Sequence, residues 1–302
     1  MNSLVVGYGS IGARHARILT ELGNRTSVVS HRQVDYPICY HQLEEAIIKE
    51  EPAYVIIANE TSRHKETLDE LVQLNYRGVI LVEKPLFDKV EDVTALPENV
   101  FVGYNLRFHP LVVRLRDLLH GETVISVQAY VGQYLPDWRP ATDYRSSYSA
   151  SREKGGGALR DLSHELDYLL WLFGSWQRVS AIGGQFSSLE ISSDDSYSLL
   201  ISCDCCPALS LQMNYVDRRI RRFVIVNTLN HTFEIDFIKG TVTADKTTDD
   251  VITERDYTYK EMHRAVLTHQ TADLCSWQQG LDVLRLIEAA EAASTAKEWI
   301  FS

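Results

Sequence analysis

Leu4-Val5-Val6-Gly7-Tyr8-Gly9-Ser10-Ile11-Gly12 is a short apolar strand running into G-x-G-x-x-G, with a helix predicted from Ala13 to Leu22. Strand, glycine turn and helix start are the context in which this pattern binds a dinucleotide. Gly7 makes the turn, Gly9 lets the backbone approach a pyrophosphate, and Gly12 lets helix and strand pack closely. Ser10 and Ile11 stand at the helix N-terminus, where amide donors and the helix dipole favour an anion. The stretch predicts a parallel α/β sheet with a nucleotide along its carboxyl edge.

Working outward, the strand Thr26 to Ser30 ends in Ser30-His31-Arg32. A carboxylate about 20 residues past the glycines would hold the ribose 2′-hydroxyl of NAD(H). A small hydroxyl followed by a cation suits a 2′-phosphate instead, so the expected cofactor is NADP(H), with NAD(H) as the alternative and Arg32 then a solvated side chain. A helix around His41 to Lys49 leads to Tyr54-Val55-Ile56-Ile57-Ala58, a continuous apolar run typical of a buried parallel strand. Asn59, Thr61 and His64 follow at its end, where ligands sit in such sheets. After a helix from His64 to Asn75 and a strand Val79–Val82 comes Glu83-Lys84-Pro85, whose lysine is a phosphate contact or a catalytic cation. The strand Val100–Tyr104 then runs into Asn105-Leu106-Arg107-Phe108 and a helix ending near His120.

From Thr123 the period changes to two. Val124–Val131, Val179–Ile182, Tyr197–Ser202, Leu209–Tyr215, Phe223–Thr228 and Thr232–Phe237 read as a largely antiparallel sheet. The boundary is placed near 120, giving domains 1–120 and 121–302, with helices Leu159–Phe173 and Trp277–Thr295 covering one sheet face. A polar-aromatic loop, Trp138 to Arg145, precedes Gly155-Gly156-Gly157. On a continuous helix after those glycines, Leu162, Leu166, Leu169, Leu170 and Phe173 fall on one side. Asp161, His164, Glu165 and Tyr168 gather on the other, either as a proton-transfer group or as a solvated polar face.

Composition narrows the classes. A net charge of −11 over 302 residues argues against a nucleic-acid partner. No run approaches a membrane span, and the apolar strand that follows Met1-Asn2-Ser3 is unlike a signal peptide. The five cysteines, three of them in Cys203-Asp204-Cys205-Cys206, lack ligands at metal spacing and read as free thiols on a strand, so a cytoplasmic location and no metal are expected.

Taken in order, Gly7-x-Gly9-x-x-Gly12, His64, Glu83-Lys84-Pro85, Gly103-Tyr104-Asn105-x-Arg107-Phe108 and the Gly155-Gly156-Gly157 turn with its Asp and His resemble the glucose–fructose oxidoreductase / inositol dehydrogenase / MocA family over essentially the whole chain. The resemblance implies an N-terminal Rossmann dinucleotide-binding domain and a C-terminal α+β domain with an open, mostly antiparallel sheet. It implies hydride transfer between NAD(P)(H) and a sugar-like hydroxyl or carbonyl, with Lys84 and His164 at the reacting carbon and Asp161 nearby. The Ser-His-Glu-Leu-Asp form resembles a subgroup found with bacterial surface-sugar biosynthesis.

Many members space the aspartate and histidine by four, whereas Asp161 and His164 are three apart. Glu165 is the residue an ungapped comparison would select, and His164 is preferred because imidazole titrates near neutrality. The role of Asp161 stays open, and Glu165→Gln is expected to cost little. Tyr144 and Arg145 are the leading substrate contacts, with Asn105, Arg107, Trp138 and His164. Gly7, Gly9, Ser10, Ile11, Gly12, Ser30, His31, Arg32, Asn59, Thr61, His64, Glu83 and Lys84 are the cofactor set. A homodimer or homotetramer through the second-domain sheet is expected, because six strand-like runs share few helices. A non-catalytic nucleotide-binding regulator of the same fold is the alternative function.

Overall fold

The computed structural model describes residues 1–90, 96–139 and 142–302. Pro140 and Ala141, in the loop predicted to carry substrate contacts, lie outside the described residues. The chain forms two compact units, Met1–Phe108 with Glu254–Leu281, and His109–Thr253 with Asp282–Ser302. The sequence-based division at 120 differs from this in two ways. The helix Pro110–Leu118 packs on strands of the second unit, and the helix Tyr257–Leu267 packs back on the first.

The first unit is a seven-stranded sheet. β1 (Asn2–Val6) leads to α1 (Ser10–Glu21), β2 (Arg25–Val29), β3 (Cys39–Tyr40), α2 (Leu43–Glu50), β4 (Tyr54–Ile57), α3 (His64–Gln73), β5 (Val79–Val82) and β6 (Val100–Val102). The order is β6-β5-β4-β1-β2-β3, all parallel, with Cys275–Ser276 pairing antiparallel beside β6. β4 is buried at every position because layers cover both faces, which is why its sequence is uninterrupted Tyr-Val-Ile-Ile. On one face Val5, Leu19, Val28, Ile56 and Leu81 form a core that takes in Met262 and Val266 of the returning helix.

The second unit begins with α4 (Pro110–Leu118) and β7 (Val124–Gly132), then α5 (Ala158–Asp161) and α6 (His164–Phe173). β8 (Trp176–Gly184), β9 (Ser196–Cys203), β10 (Cys206–Asn214), β11 (Arg221–Thr228), β12 (Thr232–Asp236), β13 (Thr241–Ala244) and β14 (Thr247–Asp250) complete the run. The nine-stranded sheet is ordered β14-β13-β12-β11-β7-β10-β9-β8, with Ile300–Phe301 at the β8 edge. Every pair is antiparallel except β7 with β10. Alternation sorts the faces: Tyr197, Leu199 and Ile201 of β9 are buried, whereas Leu200 is 54% exposed and Ile182 of β8 is 72% exposed.

The predicted helix from Leu159 to Phe173 is two helices. The N–H of Ser163 bonds to the carbonyl of Arg160 and that of Glu165 to the carbonyl of Leu162, so the backbone tightens there and the rotational phase is broken. The break takes Asp161 out of phase with the helix that follows, and the solvated-face reading fails separately: Glu165 and Tyr168 are fully buried, as are Leu166 and Leu169, so α6 is covered on both sides.

Candidate active site

In the first unit the glycine turn is shaped for a phosphate. A Cβ at Gly12 would lie 1.9 Å from the Gly7 carbonyl oxygen, so only glycine lets α1 sit against β1. At Gly9 a Cβ would meet nothing within 4 Å, leaving open space in front of the turn. Gly9 caps α1 without a side-chain acceptor, so the first-turn amides at Ser10 and Ile11 are placed for an outside anion. Asn59 Oδ1 is buried with no donor among the described residues, while its Nδ2 donates to Thr67 Oγ1 at 2.8 Å. Open space at Gly9, uncapped amides and an orphaned acceptor at the end of β4 all fit a bound dinucleotide.

At the end of β2 the expected division of labour changes. Ser30 is buried, and its hydroxyl donates to the Arg32 carbonyl at 3.1 Å and accepts from the Arg32 N–H at 3.2 Å. Its oxygen thus shapes the turn rather than facing a phosphate. His31 and Arg32 are exposed, and Arg63, which the sequence reading did not select, brings Nη2 to 3.4 Å from His31 Nε2. Thr61 opens the short turn that carries Arg63.

Farther along that edge, His64 is fully buried. Its Nδ1 lies 3.2 and 3.1 Å from the carbonyls of Pro85 and Leu86, and its Nε2 lies 3.3 Å from that of Asn59. Burial lowers its pKa. His64 therefore ties the end of β4 to the Lys84-Pro85 turn instead of presenting itself to a ligand. Glu83 is also turned inward, with Oε1 2.7 Å from His15 Nε2 and Oε2 accepting the Lys84 N–H at 3.2 Å. Lys84 itself is half-buried at the carboxyl end of β5.

In the second unit, Gly157 at φ +136° begins α5. A Cβ there would meet Asp194 Oδ1 at 2.1 Å. Asp194 accepts the Leu159 N–H at 3.0 Å, which anchors the turn that leads to His164. Asp161 Oδ2 accepts from Tyr215 Oη at 2.7 Å. His164 is the half-buried first residue of α6. Glu165 makes a two-point ion pair with Arg222, Nε to Oε1 at 2.5 Å and Nη2 to Oε2 at 2.9 Å, so Glu165→Gln, expected to cost little in turnover, bears on stability.

Burial pushes the Asp194 carboxyl up to about 6, with Glu291 and Asp161 adding to the rise. Its proton is thus held more tightly in the folded than in the unfolded chain. The stabilisation this gives is complete below the ordinary value near 3.8 and is lost as pH rises through about 6. Asp194→Asn should therefore leave the melting midpoint unchanged at pH 4 and raise it by about 2–4 °C at pH 8, on the scale of one kcal/mol for a unit of this size. Melting curves at the two pH values check this, and an equal shift at both would remove the ionisation account.

The substrate candidates separate. Trp138 stands edge-on to Tyr215 at 5.1 Å, and its buried indole N–H has no acceptor among the described residues. Tyr144 accepts the Glu190 N–H at 3.3 Å, and it packs with Leu135, Tyr215 and Trp138. Arg145 faces solvent and is held by Asp143 and Glu190 at 2.9 and 3.0 Å, a surface cluster that favours its charged form. Asn105 and Arg107 are buried, with Asn105 Nδ2 2.6 Å from Thr258 Oγ1 and Arg107 Nη1 2.8 Å from Gln279 Oε1. They fasten a turn to the returning segment, a correction to their selection as substrate contacts. Arg222, Asp194 and Tyr215 carry no local pattern, because each meets its partner (Glu165, Leu159 and Asp161) from far along the chain.

Residues 1–100 match the model of an oxidoreductase family with an NAD-binding Rossmann fold. Residues 113–243 match the GFO/IDH/MocA C-terminal domain. An uncharacterized oxidoreductase of Synechocystis sp. is 30% identical over 155 residues, which span 49% of this chain and 41% of that relative. Among solved structures, GenD2 from gentamicin A biosynthesis, in complex with NAD, is similar with a TM-score of 0.81 at 21% identity, over 100% of this chain and 96% of that one. The UDP-N-acetylglucosamine 3-dehydrogenase GnnA from Acidithiobacillus ferrooxidans gives 0.80 at 18%, over 98% of each chain. The WlbA dehydrogenase from Bordetella pertussis, in complex with NADH and UDP-GlcNAcA, gives 0.81 at 16%, over 100% and 97%. At these identities the likeness shows a shared fold.

Proposed function

Since this chain belongs to the GFO/IDH/MocA family of NAD-binding oxidoreductases, we propose that it transfers hydride between a nicotinamide cofactor and a hydroxyl or carbonyl of a sugar nucleotide. The observation that carries the reading is Lys84 at the carboxyl end of β5, on the same sheet edge as the Gly7–Gly12 turn. The nicotinamide, when bound, supplies the hydride chemistry. Gly9, the α1 amides and Asn59 hold the nucleotide. The Lys84 ammonium stabilises negative charge on the reacting oxygen, and His164 takes the hydroxyl proton or returns it. The half-buried Tyr144 ring is the flat surface offered to a sugar.

Sugar nucleotides are favoured as substrate because GnnA acts on UDP-N-acetylglucosamine and WlbA binds UDP-GlcNAcA. Thermal shift with UDP-GlcNAcA, UDP-N-acetylglucosamine and free N-acetylglucosamine tests the class. Stabilisation by a nucleotide sugar and not by the free sugar supports it, and the reverse order overturns it.

The cofactor expected to bind more tightly is NADPH, because Ser30-His31-Arg32 has a cation where NAD(H) binding favours a carboxylate, and Arg63 adds a second beside His31. Fluorescence titration of NADPH and NADH decides, and equal or tighter binding of NADH refutes the preference.

A homodimer or homotetramer built on the outer face of the second-unit sheet belongs to the same proposal. Ile182, Leu200, Tyr130 and Phe223 line that face, and an apolar sheet face seldom stays wet. Light scattering should give at least twice 34.4 kDa at micromolar concentration, and a monomer mass would refute it.

A further inference from the structure

Beneath the Lys84 turn lies a buried row of polar groups that the proposed chemistry does not use. Tyr54 Oη is 3.0 Å from His263 Nδ1, His263 Nε2 is 2.9 Å from His15 Nδ1, and His15 Nε2 is 2.7 Å from Glu83 Oε1. Tyr54, His15 and His263 are fully buried, and Glu83 is 7% exposed. His15 meets His263 edge-on at 5.0 Å and Tyr259 edge-on at 5.5 Å. These groups come from β4, α1, the returning helix and the end of β5, all in the first unit.

Burial raises the Tyr54 phenol well above its ordinary range and lowers the His263 imidazole well below its own, so one keeps its proton and the other is neutral. With the Tyr54 hydroxyl as donor to His263 Nδ1, the His263 proton stands on Nε2 and is given to His15 Nδ1, which leaves a singly protonated His15 to donate from Nε2 to Glu83. No group in the row is left without its partner, which matters in a site closed to water. Glu83 receives the His15 N–H on one oxygen and the Lys84 N–H on the other.

We propose that Tyr54, His263 and His15 are positioning residues for Lys84: their directed row fixes the Glu83 carboxylate, which fixes the backbone from which the Lys84 side chain departs. The inference rests on reading Lys84 as a reacting group, but it concerns local order and is measured without turnover.

Nitrogen-15 spectra of the histidine rings at pH 7 should show His15 and His263 each protonated on Nε2. Amide exchange should then be followed in His15→Leu, which removes the donor to Glu83, and in His15→Gln, whose amide N–H can stand where Nε2 stood. The Lys84 amide should exchange at least about tenfold faster in the leucine variant and nearly as in wild type in the glutamine variant, on the scale of one lost buried hydrogen bond. Amides of β1 and β4 should be unchanged. The proposal is overturned by a His15 proton on Nδ1, by unchanged Lys84 exchange in His15→Leu, or by a rise shared with β1 and β4, which marks general loosening. Should His15→Leu not fold, the wild-type proton positions and the glutamine variant decide alone. Since none of these readouts involves hydride transfer, an inactive Lys84 would sink the proposed chemistry and leave this result standing.

Discussion

His164→Ala is expected to lower turnover by roughly 10²–10⁴, the usual worth of a positioned acid or base. Its affinity for the nicotinamide cofactor should stay nearly unchanged, because the glycine turn and the α1 amides belong to the other unit. Lys84→Ala should do comparable damage by removing the cation that stabilises charge on the reacting oxygen. If both act on one proton transfer, the double variant loses much less than the product of the two losses. Steady-state rates with cofactor affinities measured alongside check this. A His164→Ala variant that keeps wild-type turnover would mean that the histidine was chosen wrongly.

Glu165→Gln is expected to act on stability, with turnover per folded molecule close to wild type. The carboxylate is fully buried and meets the Arg222 guanidinium at two points. Removing the carboxylate leaves the Arg222 charge uncompensated, with only neutral contacts such as the Tyr168 hydroxyl, at a cost of about 3 kcal/mol. A unit of this size loses about 6–12 °C in melting midpoint for that change. Arg222→Ala should match it, and the double variant should lose less than the sum. Melting curves of the three variants settle the matter. A Glu165→Gln midpoint within a degree of wild type would contradict the buried ion pair, and a dead but stable Glu165→Gln would return the catalytic role to the glutamate.

These two residues also mark how far the sequence could be read. The first unit was legible because its signals are local: one glycine turn between a strand and a helix, then apolar runs such as Tyr54–Ile57 that only a doubly covered strand carries. The six antiparallel runs were legible by alternation. β13 and β14 were not, since β14 is exposed at every position and shows no buried face to give a period. The return of Glu254–Leu281 to the first unit was equally hidden. Its helix Tyr257–Leu267 is amphipathic like any other, and nothing local names the sheet it covers.

At the site, Lys84 and the glycine turn could be found because strand ends and turn residues announce themselves. The inward-facing polar groups could not be assigned. His64, Asn105 and Arg107 have the same composition as ligand contacts and differ only in burial. His164 and Glu165 open the same helix, and a wheel cannot show that the side carrying Glu165 packs against Arg222 from a distant strand.

Hydride transfer with Lys84 as part of the machinery separates the proposed enzyme from a protein that only holds a nucleotide. The direct measurement is absorbance near 340 nm after mixing protein, NAD⁺ or NADP⁺ and a panel of nucleotide sugars, with Lys84→Ala beside wild type. The account predicts a rise in absorbance with at least one nucleotide sugar for wild type and a loss of roughly 10²–10⁴ in its rate for the variant. Tight cofactor binding with no change at 340 nm across the panel, or equal rates from the two proteins, would contradict it.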